Sequence, residues 1–166
     1  MLEKAFELDQ TDSRIFMELD QLYKKMGRAH AERLTFLEAH LELVAQRDDL
    51  CIERITLYNQ LGNYEKAREL IAARKFHPWE GGEGKVTGQY ILCRVELAKK
   101  AIKEKRYLEA ISLLKETDHY PHNLGEGKLI NAEENEVDYY KGIAYQKLGN
   151  EAESIKYLMK ATQGSS

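Results

Sequence analysis

Apolar side chains recur at spacings of three and four along most of this chain. Ile15, Phe16, Leu19, Leu22, Tyr23 and Met26 form a first stripe, the mark of an amphipathic helix. Asp12 or Ser13 is placed to cap its start, and Gly27 to end it. A second stripe passes through Leu34, Leu37, Leu41 and Val44. A third runs through Cys51, Ile52, Ile55, Tyr58 and Leu61 and stops at Gly62-Asn63. A fourth helix is predicted from Tyr64 to Ala73. A longer one follows from about Gly88 to Lys105, capped by Thr87, with a short partner from Tyr107 to about Glu116. Asn131 and Glu134 have the form of a capping box. The helix they open should run to Leu148, where Gly149-Asn150 stops it. The last helix covers Glu151 to about Thr162, ahead of a frayed Gly164-Ser165-Ser166 tail. Residues 1–9 read as the end of a preceding helix whose partner is missing. Period-two alternation never persists, so no strand is expected.

Helices joined by turns this short must lie antiparallel. Each pair carries an apolar side too wide to bury alone, and stacking pair on pair buries it. A duplication supports such an array. His77-Pro78-Trp79-Glu80-Gly81-Gly82-Glu83-Gly84-Lys85-Val86 and Tyr120-Pro121-His122-Asn123-Leu124-Gly125-Glu126-Gly127-Lys128-Leu129 lie 43 residues apart and hold both prolines. The predicted architecture is one all-α array over 1–166, with hairpin units at about 13–46, 48–75, 87–117 and 131–162. Duplicated loops at 76–86 and 119–130 separate the later units. Their shared Pro and Gly-Glu-Gly predict two loops of similar backbone, with Trp79 covered and positive φ at Gly84 and Gly127.

Aligned on their turns, the hairpins share a pattern. Tyr145-Gln146-Lys147-Leu148-Gly149-Asn150, with Gly142 before it and Ala161 after it, resembles the tetratricopeptide repeat (TPR), as does Tyr58-Asn59-Gln60-Leu61-Gly62-Asn63-Tyr64-Glu65-Lys66-Ala67. Phe16, Leu19, Tyr23, Phe36 and Ala39 fill the corresponding places of the first unit, and Leu97, Ala98, Ala101, Ala110 and Leu114 those of the third. Small residues at Ala67, Ala98, Ala110 and Gly142 would let paired helices cross closely. The resemblance implies a right-handed α-solenoid. There are departures. Asp20 and Ile55 replace a small residue, which predicts looser hairpins near the N-terminus. Arg94 and Asp138 stand where a large apolar residue is usual. The Pro/Gly loops are also similar to loops of large bacterial proteins in which TPR-like arrays follow a β-rich domain resembling carbohydrate-active sandwiches. That second resemblance implies an accessory helical domain of a longer protein.

Composition narrows the function. Charged residues make up 32% with a net charge of −3, which gives no reason to expect a nucleic acid or an anionic membrane as partner. No apolar run approaches 18 residues, so no membrane span is expected. Cys51 and Cys93 are the only cysteines and read as small core residues of a reducing compartment, which predicts a cytoplasmic location.

Several chemistries can be weighed at particular residues. The Gly-Glu-Gly-Lys segments are not P-loops, because Lys85 and Lys128 are followed by Val86 and Leu129 and no strand precedes them. His77, His119 and His122, with Glu80, Asp118 and Glu126, are a candidate ligand or metal site in the loops. Histidines in loops are mostly solvated, and no metal or cofactor is expected. His30 and His40 read as helix-surface residues. No His or Lys is placed to activate either thiol, and Glu133-Glu134-Asn135-Glu136 reads as a solvated first turn. No catalytic residue and no enzyme activity are predicted.

The concave groove remains the best candidate. In TPR arrays it is lined by the first helix of each pair. Carried over, the resemblance places Arg14, Met17, Gln21, Lys24 and Lys25 there from the first unit. Ile52, Thr56 and Asn59 follow from the second, Lys99 and Lys103 from the third, and Tyr139, Ile143 and Lys147 from the fourth. A non-catalytic scaffold that holds a protein or peptide segment, acidic in character, fits this basic lining. Met17 and Gln21 stand where chaperone-tail-binding TPRs use Lys and Asn to clamp a terminal carboxylate, so that specialisation is not expected.

Overall fold

The computed structural model describes residues 1–127 and 134–163. Among them are ten α-helices, two 3-10 turns and no strand. Helix α1 is Leu2–Leu8, α2 Ser13–Lys25, α3 His30–Glu38, α4 Leu41–Val44 and α5 Asp48–Gln60. Helix α6 is Tyr64–Ala72, α7 Lys85–Lys103, α8 Tyr107–Lys115, α9 Asn135–Leu148 and α10 Glu151–Gln163. They pair as α2 with α3 and α4, α5 with α6, α7 with α8 and α9 with α10, and each hairpin packs on the next. The protein is a TPR-type helical solenoid. Its core is continuous. Cys51 and Tyr58 belong to the packing of both the first and second hairpins, and Tyr64 and Ile91 join the second to the third.

All four hairpin turns share one backbone device. The N–H of Arg28, Asn63, Arg106 and Asn150 donates to the carbonyl of Tyr23, Tyr58, Ala101 and Tyr145, respectively. This bond closes the helix over a residue in the left-handed conformation. Glycine holds that place at 27, 62 and 149, but Lys105 holds it at φ 64°. A Cβ in this region costs about 1–2 kcal/mol, whereas glycine's extra unfolded-state freedom costs about 0.5–1 kcal/mol. Lys105→Gly is therefore expected to raise stability by roughly 0.5–1 kcal/mol, read from the urea midpoint at constant m. A loss of stability would mean that the lysine side chain supplies more than the strain it carries.

The small crossing residues act as the pattern requires. Ala67, Ala98 and Ala110 are fully buried. At Gly142 a Cβ would lie 2.6 Å from Leu158 Cγ, and Ser154 Oγ donates to the Gly142 carbonyl at 2.9 Å. The two N-terminal hairpins pack less closely than the two C-terminal ones, as predicted, yet the first crossing is not empty. Asp20 is 1% exposed and accepts a two-pronged bond from Arg33, Nε to Oδ1 at 3.2 Å and Nη2 to Oδ2 at 2.8 Å. The crossing is filled by an ion pair rather than left open. Arg94 is likewise accommodated. Its guanidinium lies 3.5 Å from the Tyr90 ring centroid and its Nε donates to Glu116 at 3.0 Å.

The second stripe does not form one helix. Helix α3 ends at Glu38, and His40 (φ −136°, ψ 55°) breaks the chain before α4. The His40 ring meets Phe6 and Phe16 edge-on at 5.1 and 5.2 Å. It belongs to an aromatic cluster and not, as predicted, to a helix surface. The break shifts the phase: Leu43 and Val44 are buried and Leu41 is exposed.

The duplicated loops pack against each other, and their backbones differ. Phe76 N donates to the Asn123 carbonyl at 2.7 Å, and Asn123 Nδ2 donates to the carbonyls of Ile71 and Arg74 at 2.8 and 3.0 Å. Positive φ falls at Gly81 and Gly84 in the first loop but at Gly125 in the second. Gly127, predicted to need it, does not have it. The physical reason is position: the second loop lies on the first, while the first lies on α5, where Asp48 accepts from His77 N at 2.9 Å. Trp79 is only half-buried, its indole folded over Gly82. Helix α7 starts three residues earlier than predicted. Thr87 is not its cap but lies in its first turn, where Glu126 accepts hydrogen bonds from Gly84 N (3.1 Å), Thr87 N (3.4 Å) and Thr87 Oγ1 (3.2 Å). The predicted capping box at Asn131, together with Lys128, Leu129 and Glu133, lies outside the described residues, as do the last three.

Candidate functional site

The first helices α2, α5, α7 and α9 carry the predicted groove residues, and their placements diverge. Arg14, Gln21, Lys24 and Lys25 of α2 are exposed, with Met17 half-buried. On α5 the expectation is corrected. Ile52 and Asn59 are buried, because α7 packs directly over that face. Ile52 joins Val86 and Tyr90 in the core, and Asn59 Nδ2 donates to Gln89 Oε1 at 2.8 Å. Thr56 is half-buried and its hydroxyl donates to the Ile52 carbonyl. On α7, Lys103 is exposed, and Lys99 Nζ is held by Glu96 at 3.1 Å with the Tyr140 ring 5.5 Å away. On α9, Tyr139 and Lys147 are exposed and Ile143 is half-buried.

A cleft of about 320 Å³ gathers part of this set. Met17, Gln21, Lys24 and Lys25 form one wall, Asp49 and Glu53 another, and Lys85 closes it. Lys85 is a cleft residue that the repeat pattern does not mark, since it follows a Gly-Glu-Gly loop segment. The signal was the positive-φ Gly84 beside it, which makes Lys85 the first residue of α7 rather than a loop residue. Beneath the cleft, Glu53 Oε1 accepts from Arg33 Nη2 at 2.7 Å and pairs with Lys24 Nζ at 3.2 Å. Burial alone would raise the Glu53 carboxyl, but hydrogen bonds from Arg33 and the Lys24 charge outweigh it and hold the group below its ordinary range. The acids here are thus paired with Arg33, Lys24 and Arg47, while Lys25 and Lys85 remain at the rim. Further along, a shallower depression is lined by Gly88, Ile91, Leu92, Val95, Glu96 and Glu136. The groove therefore has lysines at the rim of one end, and at the other apolar side chains beside Glu96 and Glu136.

The remaining candidates are placed as follows. Cys93 is fully buried, and its thiol bonds the Tyr90 carbonyl. Cys51 is half-buried, and its thiol bonds the Val44 carbonyl at 3.1 Å. Burial pushes both thiols up, away from the thiolate form. His77, His119 and His122 are exposed. No three His, Cys, Asp or Glu side chains among the described residues converge as metal ligands would, and no helix among them is long and apolar enough to cross a membrane.

The fold and groove together define a TPR-like α-solenoid. No family model matches the chain. Similar solved structures include MamA MSR-1 (TM-score 0.57, 21% identity, 99% of this chain and 83% of that one). MamA AMB-1 aligns at TM-score 0.59 and 21% identity over 98% of this chain and 78% of that one. BtubC (BKLC) from P. vanneervenii aligns at TM-score 0.58 and 20% identity over 98% and 68%. At this identity the likeness carries the fold. It supports the TPR-like resemblance and gives no support to the carbohydrate-linked one.

Proposed function

We propose that this protein is a non-catalytic scaffold that holds an extended segment of a partner protein along the face of α2, α7 and α9. The observation that carries this reading is the two-part groove. Lys25 and Lys85 stand at the rim of the cleft beside α2 and α5, and Leu92 and Tyr139 are exposed beyond it, on α7 and α9. An acidic stretch followed by apolar side chains complements that order. With Ile52 and Asn59 buried, α5 meets the segment only through Asp49 and Glu53 in the wall of the cleft. Among the described residues each raised thiol bonds a backbone carbonyl rather than a base, which supports a binding role over nucleophilic catalysis.

The test is selection of peptides from a random display library on the intact protein. Acidic-apolar sequences are expected, with affinity that falls as salt rises. Lys25→Glu and Lys85→Glu should each weaken binding by about 0.2–1 kcal/mol, as should Lys99→Glu and Lys103→Glu. Selected peptides whose affinity ignores both salt and these reversals would refute the groove as the binding surface.

A further inference from the structure

The break at His40 has a second result. Because α3 stops at Glu38 and α4 is a single turn, the second helix of the first hairpin does not cover α5 evenly. A cleft of about 270 Å³ opens between α4 and α6, with α5 as its floor. Leu41 and Val44 form one side, Leu70 and Ala73 the other, and Cys51 and Ile55 the base. Its volume lies just below the ~300–1,000 Å³ of most small-molecule sites. Arg54 and Arg74 line it, and no carboxylate does.

Both guanidiniums are only partly used. Arg74 donates to Asp48 at 2.7 Å and to the Ala45 carbonyl at 2.9 Å. Arg54 Nη2 donates to Glu38 at 2.8 Å. The Arg54 Nε–H, however, is buried and has no acceptor among the described residues. A buried donor without an acceptor is costly, and a carboxylate oxygen is its strongest match. The rest of the cleft is aliphatic, and Cys51 already spends its proton on the Val44 carbonyl.

We propose that this cleft between α4 and α6 binds a small apolar carboxylic acid, its chain against Leu41, Val44, Ile55 and Leu70 and its carboxylate met by Arg54, whose guanidinium turns to bring its unpaired Nε–H into the cleft. The site is separate from the groove and independent of what the groove binds. It arises from the irregular first hairpin and not from the repeat pattern.

Octanoate is the probe, with octanamide as its neutral counterpart, on the full chain. Cys51 reports occupancy through its alkylation by iodoacetamide, while Cys93 stays unlabelled in the folded protein. Saturating octanoate is expected to slow Cys51 alkylation at least tenfold, and octanamide should bind at least tenfold more weakly. Ala73→Phe, at an exposed position beyond α6, should fill the cleft and abolish octanoate binding at an unchanged Tm. Arg54→Gln should weaken octanoate at least tenfold. Unprotected Cys51, or octanoate binding to Ala73→Phe as to the wild type, would overturn the site. Equal affinity for octanoate and octanamide would overturn its assignment to a carboxylate.

Discussion

Arg33→Ala is expected to cost about 3–5 kcal/mol, because breaking a buried pair leaves an uncompensated charge. Asp20 and Arg33 are 1% and 2% exposed, and they close the first hairpin where the repeat pattern places a small residue. Burial already pushes the Asp20 carboxyl above its ordinary value, against the pull of Arg33. Without Arg33 it rises further, so the folded variant takes up this proton at a higher pH than the unfolded chain does. The loss in Arg33→Ala should therefore be largest near pH 7 and shrink as pH falls through the raised folded value of Asp20. In the wild type, Glu53 and Asp48 behave oppositely. Burial would raise them, but Arg33 and Arg74 more than offset it and hold them low. Their stabilisation is complete above their unfolded values, and it is lost as pH falls through and below them. Replacing Asp20 and Arg33 together by Leu and Met should restore most of the stability lost in Arg33→Ala, since apolar packing often equals a buried ion pair. Urea titrations at both pH values measure this. A pH-independent loss in Arg33→Ala would mean that packing of the arginine stem, not the charge on Asp20, sets the cost.

Gly125→Ala should cost about 2–4 kcal/mol, from a left-handed φ that costs ~1–2 kcal/mol for other residues plus overpacking of ~1–3 kcal/mol. Gly125 sits at φ 78°, and a Cβ there would lie 2.4 Å from the Phe76 carbonyl oxygen and 2.9 Å from its carbon. The obstacle is backbone and cannot rotate away. Moving it would strain the Phe76–Asn123 bond and the burial of Phe76, whose ring is 1% exposed. Gly127→Ala provides the contrast. Its φ is not positive and nothing among the described residues lies within 4 Å, so a change within about ±0.5 kcal/mol is expected. Equal losses at the two positions would show that the loops do not depend on this contact.

Gly125 and Gly127 also mark the limit of what the sequence made legible. Both are glycines of one Pro/Gly loop, and the duplication assigned the strained place by alignment. The strained place is instead the one that touches Phe76, and that contact joins residues about 50 positions apart. The groove divides in the same way. Lys25, Lys103 and Tyr139 lie exposed as their helix faces require. Ile52 and Asn59 share the same periodic pattern, yet α7 covers them. Lys85 enters the cleft because Glu126, from the second loop, caps the helix that begins with it.

What the amino-acid sequence determined by itself is whatever acts within a turn or two of helix. The apolar period sets the helices, and the left-handed residue after each first helix sets the hairpin turn. The small residues at 67, 98, 110 and 142 set how closely the helices cross. What the tertiary structure decided is which polar groups find partners and which faces are covered. Asp20 at a helix crossing reads as a fault until Arg33 is beside it. His40 reads as a surface residue until Phe6 and Phe16 pack against it at the break after α3. Local sterics and backbone hydrogen bonds fix the first set. The second depends on burial, and burial depends on neighbours that only the stacked array supplies.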